Sequence, residues 1–405
     1  MGYAGNEGPQ FIIPTAMATG RGGGRSVTIN VANKASSSSF DFYIGDEALG
    51  AAKSYQLQFP IRHGQIEDWS LMEAYWQHCF FRYLRCNPEE HPVLLTEPPL
   101  NAPENREYTA EIMFESFNVP HLYIAVQAVL ALAASWMDGR ATGKTENPLT
   151  GTVIDSGDGV THIIPVVDGY AIGSAIKHVP LAGREVTQFI QQLLRDRADL
   201  SDLINPEETM EIAKRIKEEL CYVSPDLPRE FGKLDTNEIV KPFKWKDRRS
   251  GRDIEWPVGH ERFLGPEIFF SPEMSNALLT TPIPRLVDEA IQKCPIDTRR
   301  ALYSNVVLSG GSTMFKGFDK RLRRDLKMHV DDRLAYTNSL EAVNKSAAPV
   351  VNVVAHRNQR YAVWCGGSLF ASMEQFPAYC HSRADYEEYG PSICRQSRVF
   401  GALLS

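Results

Sequence analysis

Residues 150–170 read Thr-Gly-Thr-Val-Ile-Asp-Ser-Gly-Asp-Gly-Val-Thr-His-Ile-Ile-Pro-Val-Val-Asp-Gly-Tyr. Two apolar segments flank a turn of Asp155, Gly157, Asp158 and Gly159, which predicts a tight β-hairpin. Glycines without Cβ let successive backbone N–H groups converge on an anion, and a carboxylate at the strand end can hold the waters of a Mg²⁺ ion. Taken alone, the segment is more often an ordinary Asp-Gly hairpin with no ligand.

Other segments bear on that choice. Val306-Val-Leu-Ser-Gly310-Gly311-Ser312-Thr-Met314 predicts a buried strand, a paired-glycine turn and then a helix whose N–H groups can face phosphate. A plain tight turn is the alternative. Lys217 and Glu218 lie on a periodic helix, either as a solvated charge pair or as ligand contacts. Gln127 opens an apolar run, where burial requires a partner; it is a satisfied core amide or an amide that positions water. His162 sits on the hairpin's return strand, where packed histidines outnumber catalytic ones. Gly139-Arg-Ala-Thr-Gly143-Lys144-Thr145 is a near miss for a P-loop: three residues separate its glycines instead of four, and it follows a helix. It is read as connector.

A chain of 405 residues exceeds one comfortable core, so two domains with a ligand cleft between them are expected. The formal charge of −7 argues against a general nucleic-acid or anionic-membrane binder, although 320–327 is locally basic. Cys79, Cys86, Cys221, Cys294, Cys365, Cys380 and Cys394 form no C-x-x-C pair, which fits a reducing compartment better than a disulfide framework or zinc site. The longest apolar run, 123–137, is too short to span a bilayer and is read as a buried helix. The first residues have neither a basic nor an apolar signal region.

Along the chain, the first sixty residues look β-like and loop-rich, with mobile segments at 20–24 and 36–39. Asp68 is the expected N-cap of a helix reaching Tyr83; a short strand starts at Val93, and another helix is placed after Thr109. A strand at 119–123 feeds a helix over 127–136, and 139–148 is a polar connector. Further helices are expected at 184–196, 207–220 and 283–294, with 244–252 as an exposed insertion. Strands and helices alternating in both halves predict an α/β architecture.

Asp155-Ser-Gly-Asp-Gly-Val-Thr-His162, Leu308-Ser-Gly-Gly-Ser-Thr-Met314, Asn118-Val-Pro with Gln127-Ala-Val-Leu130, Glu90-His-Pro-Val-Leu-Leu-Thr-Glu97 and Tyr361-Ala-Val-Trp-Cys-Gly-Gly-Ser368 together resemble the actin family, over nearly the whole chain. The long connector before Thr150, the 233–255 region, Gly259-His-Glu-Arg-Phe-Leu-Gly-Pro-Glu267 and the ending Tyr386-Glu-Glu-Tyr-Gly-Pro-Ser-Ile-Cys394-Arg are most similar to the actin-related branch that pairs with actin-related protein 2.

The resemblance implies the α/β fold shared by actin, hexokinase and the heat-shock chaperone ATPase, with two related domains around a cleft for ATP or ADP and Mg²⁺. The small domain would be 1–138 with an outer lobe at about 16–60, completed by 361–405; the large one would be 139–360 with an outer lobe at about 182–281. Asp155 matches the acid that holds metal through water, and Gly157, Asp158, Gly159 and Val160 the phosphate turn. Gly310, Gly311, Ser312 and Met314 match the adenosine turn, while Lys217, Glu218 and Arg360 match base and ribose contacts. Gln127 and His162 match the residues that arrange attacking water. Ala133, Ala134, Trp136, Cys365, Leu369, Phe370 and Met373 would line a partner groove, although an apolar stripe is by itself more often core.

The family pattern begins with an Asp-x-Gly-Thr-Gly turn and a lysine ahead of Gly-Tyr-Ala-Gly. Here Met1 directly precedes Gly2-Tyr3-Ala4-Gly5, and an incomplete upstream sequence is the expectation. Implied partners are actin-related protein 2 and the other subunits of their complex, the first actin of a branch filament, and nucleation-promoting factors, with no nucleic acid and no membrane insertion. The implied location is the cytoplasmic actin cytoskeleton, in cortical patches or at the leading edge. ATP would act mainly as a conformational ligand, with slow hydrolysis at most. A filament-forming or chromatin-associated actin relative is the nearer alternative, and an actin-fold sugar kinase the enzymatic one; the latter would need a further acid as general base.

Overall fold

The computed structural model describes residues 1–20, 42–51, 54–62, 64–137, 149–200, 206, 208–247, 251–340 and 348–395. The expected loop at 36–39 and the connector at 139–148, with its near-miss P-loop, lie outside them. The chain separates into two compact units, 1–134 with 361–405, and 135–360.

In the first unit, His121–Val126 is the middle strand of a three-stranded sheet. It pairs in parallel with Val93–Glu97 and antiparallel with His381–Ser382. A second, antiparallel sheet sets Met17–Gly20 between Phe42–Ile44 and Tyr55–Gln58. The helix Trp69–His78 starts at Asp68, whose carboxylate accepts the Leu71 N–H at 2.9 Å. It widens into a π-type turn, Cys79–Leu84, and stops where Arg85 turns left-handed.

Two local expectations need correction in this unit. The helix placed after Thr109 begins at Pro103, because a proline at the first helical position has its φ already set and gives up an N–H that would be unpaired there. A short helix, Gly45–Ala51, also stands within the stretch read as strand and loop.

Helices Gln127–Met137 and Ala362–Ala371 approach backbone to backbone: a Cβ on Gly366 would lie 2.0 Å from the Leu130 carbonyl oxygen. Only glycine permits that approach. The start of the chain is fastened to the same helix, since the Gly5 N–H donates to Ser368 Oγ and Ser368 Oγ donates to the Asn6 carbonyl.

The second unit is built on one mixed sheet. Gly151–Ser156 runs antiparallel to Thr161–Val167, forming the expected hairpin, and parallel to Val306–Ser309. Val353–Val354 extends the sheet on one side; Tyr170–Ala171 and Lys177–Val179 pair with the outer face of Thr161–Val167 on the other. Near-continuous burial of the strand side chains fits a sheet covered on both faces. Its helices include Gly183–Arg195, Thr209–Leu220, Ile283–Gln292 and Phe318–Leu340.

Of the exposed insertion expected at 244–252, residues 248–250 lie outside the described residues, and 244–246 belong instead to a packed hairpin, Lys241–Lys246 with Asp253–Val258. Its alternation turns Phe243, Trp245, Trp256 and Val258 inward while the lysines face out, as a period of two requires. The Trp245 indole N–H donates to Glu208. The turn after Val306–Ser309 differs too. Gly311–Thr313 makes one short 3₁₀ turn, and the α-helix begins only at Phe318, after Gly317 at φ +90°. Its N-terminal amides therefore belong beyond the glycine pair.

Candidate functional site

The hairpin turn is shaped by what its carbonyls accept. The Gly157 carbonyl takes the Gly183 N–H at 3.1 Å and the Ser312 hydroxyl at 2.6 Å, and the Asp158 carbonyl takes the Arg184 N–H at 2.7 Å. The Gly157 N–H is used across the turn, on the Val160 carbonyl at 3.2 Å. The N–H groups of Asp158, Gly159 and Val160 donate to no protein acceptor among the described residues. A Cβ at Gly157 or Gly159 would meet nothing within 4 Å. Three consecutive donors without a protein acceptor form the kind of backbone concavity that suits phosphate oxygens.

The Gly310 turn is fixed against this hairpin. Gly310 has φ +87°, and a Cβ there would lie 2.2 Å from the Ser156 carbonyl oxygen. Its N–H donates to the Gln359 carbonyl at 3.0 Å, and the Gln359 amide donates to Thr313. Gly311, by contrast, has open space where a Cβ would stand. Ser312 is buried, and Met314 is half exposed.

Lys217 meets the hairpin turn through Gly183. Its ammonium donates at 2.9 Å to the carbonyl of Gly183, the residue whose own N–H holds the Gly157 carbonyl. Desolvation lowers its pKa, opposed by the charges of Asp158 and Glu218. Glu218 and Arg360 are both exposed. The Arg184 guanidinium pairs with Asp158 at 3.2 Å, with both side chains largely in solvent.

Asp155 lies opposite Ser309 in the parallel pair and opposite His162 in the hairpin. Burial raises its pKa above the ordinary carboxylate value, and a hydrogen bond with the Ser309 side chain pulls the other way. Asp155 keeps partial exposure on the strand that leads into the turn. His162 is 8% exposed, and desolvation, helped by the neighbouring His178, lowers its pKa to about 4. It is therefore a neutral imidazole near pH 7. Gln127 opens its helix directly at the end of the central strand of the first unit and is partly exposed.

Of the residues expected to line a partner groove, Cys365, Leu369 and Met373 are partly exposed, whereas Ala133 is 1% exposed and Ala134 9%. The Trp136 side chain lies outside what the structure describes. Phe370 needs correction as a lining residue: it is fully buried, edge-on to Tyr123 at 4.9 Å and Phe376 at 5.2 Å, because helical spacing turns it inward.

Sequence reasoning overlooked Gly183, Ser309, Gln359 and His178. Gly183 left a signal, a glycine after Leu-Ala at the start of a strongly periodic helix. A Cβ there would crowd Ser312 Oγ at 2.7 Å. Ser309 and His178 depend on strand register and Gln359 on a 3₁₀ turn that meets Gly310, and none had a local mark.

The hairpin turn and the glycine turn held against it, at the ends of neighbouring strands of one mixed sheet, define an α/β protein with a candidate anion site. A family model described as Actin matches residues 1–399, and the chain belongs to the actin family. It is 55% identical to Actin-related protein 3 of Dictyostelium discoideum, over the whole of this chain and 95% of that protein. It is 57% identical to Actin-related protein 3 of Acanthamoeba castellanii, over the whole chain and 95% of the relative. Actin-related protein 3 of Schizosaccharomyces pombe is 52% identical, with the whole chain and 96% of the relative covered.

Proposed function

We propose that this chain is an ATP-binding actin-related subunit that pairs with actin-related protein 2, in the complex that nucleates branched actin filaments. Full-length similarity to proteins named Actin-related protein 3 supports the subunit assignment. The observation that carries the nucleotide reading is the run of three unengaged N–H groups at 158–160, beside Asp155 and bound through Gly157 to Ser312 and through Gly183 to Lys217.

In this reading Asp158, Gly159 and Val160 take phosphate oxygens, and Gly310, Gly311, Ser312 and Met314 border the nucleoside. Lys217, Glu218 and Arg360 contact base and ribose. Asp155 holds Mg²⁺ through its waters, and the ion neutralises phosphate charge. Gln127 and neutral His162 orient water for slow hydrolysis. The domains are those of the sequence reading, 1–138 with 361–405 and 139–360, and the place of action is the cytoplasmic actin cytoskeleton.

Asp155→Ala should weaken Mg-ATP binding by more than about tenfold, measured by nucleotide titration. An unchanged affinity removes Asp155 from the site. Gln127→Ala in a reconstituted complex should slow turnover with ATP affinity retained; equal loss of both makes it a core amide.

The partner surface involves Leu369, Cys365 and Met373, against which the first actin of the new filament would dock. Leu369→Asp should leave the complex assembled and abolish branch nucleation, because a charge would be desolvated there without a partner. Wild-type nucleation by that complex would exclude this surface. Salt-induced self-assembly of the isolated chain would instead favour a conventional filament-forming actin.

A further inference from the structure

His162 is bound by a second histidine. The short strand Lys177–Val179 pairs antiparallel with Thr161–Val167, so that His178 stands directly opposite His162. His178 Nδ1 is 3.0 Å from His162 Nε2, with the ring centroids 5.0 Å apart. Two ring nitrogens at this distance share one proton, with one donating and the other accepting. The bond ties the tautomer of each ring to that of the other and holds both in one orientation.

The segment that carries His178 is itself anchored on both sides. Lys177 Nζ donates to the Glu289 carboxylate at 2.8 Å, and the Leu181 carbonyl accepts the Thr161 hydroxyl at 2.6 Å. His178 faces solvent with its remaining surface, so its ring is not there to fill the core. His162 Nδ1 has no protein partner among the described residues.

We propose that His178 is a positioning residue for ATP hydrolysis: it occupies His162 Nε2, ties the tautomer of that ring to its own, and leaves Nδ1 as the nitrogen that meets water. This rests on the reading of His162 as a water-orienting residue. The arrangement has the form of a base oriented by a third group.

The test uses the assembled complex for kinetics and the full chain, with ¹⁵N-labelled histidine, for ring spectroscopy. His178→Leu should lower the single-turnover rate constant for ATP cleavage about tenfold, with the nucleotide Kd changed by less than about twofold. The ring nitrogen signals of His162 should move from those of one tautomer towards an average of two. His178→Gln, whose amide can bond the same nitrogen, should recover part of the rate and restore the single-tautomer signals.

Wild-type cleavage and wild-type His162 signals in His178→Leu overturn the proposal. So does a loss of nucleotide affinity equal to the loss of rate, since that marks a structural role. If His162→Ala itself cleaves ATP at the wild-type rate, the reading of His162 fails instead. The hold of His178 on the ring is then decided by the nitrogen signals alone, and signals unchanged in His178→Leu overturn it.

Discussion

Adjacent glycines at 310 and 311 meet opposite constraints. Gly310 has a left-handed backbone, and its missing side chain makes room for the Ser156 carbonyl. Gly310→Ala adds left-handed strain of about 1–2 kcal/mol to an overpacking cost of about 1–3 kcal/mol, so the urea midpoint should fall by the equivalent of about 3 kcal/mol. Gly311 has neither restraint. Gly311→Ala should leave the midpoint within about 0.5 kcal/mol while weakening ATP in a titration, because the new methyl enters the space beside the proposed nucleoside. Equal destabilisation by both substitutions would show that the pair serves the fold alone. The pairing of glycines was legible in the sequence, but their division of labour was not: it depends on a parallel neighbour about 150 residues away, through the Ser309–Asp155 register.

The hairpin of Lys241–Lys246 and Asp253–Val258 shows where composition obscured pattern. Lysines, arginines and aspartates suggested an exposed insertion, yet every second residue is a large apolar one directed into the core. The Arg215 guanidinium lies over Phe243 and Trp245, 5.7 and 5.5 Å from their centroids. Trp245→Ala should cost about 3–5 kcal/mol, since it opens a cavity and deprives Glu208 of a donor. Lys244→Ala on the opposite face should change stability by no more than about 0.5 kcal/mol, and thermal unfolding distinguishes the two. The hairpin of Gly151–Ser156 with Thr161–Val167 and its flanking helices were legible because glycine chemistry and hydrophobic period coincide there. The helix at Pro103 and the short Gly45–Ala51 helix were not, because one follows a proline-rich strand end and the other is too short to establish a period.

At the scale of the molecule, acid sensitivity follows from buried imidazoles. His78 is 1% exposed against Phe42, and desolvation, with a smaller effect from Arg82, depresses its pKa to about 4 from 6.5. The unfolded chain therefore binds more protons than the folded one between pH 6.5 and about 4, and stability falls as pH drops through that window. One such group accounts for about 3 kcal/mol at most. His78→Leu should flatten the pH dependence of the urea midpoint in that interval, and an unaltered slope would assign the acid sensitivity to other groups. The two-segment construction of the first unit has a consequence for synthesis. The middle strand His121–Val126 receives its second neighbour from His381–Ser382, and Gly5 and Asn6 wait for Ser368. On the ribosome, one edge of that strand must stay unpaired while more than two hundred later residues are made, long enough for the intervening unit to fold first. An unpaired edge is a template for mispairing. The nascent chain is therefore most exposed to aggregation just before its last segment emerges, and a cell making this protein must shield that edge until residues 361–395 arrive to close it.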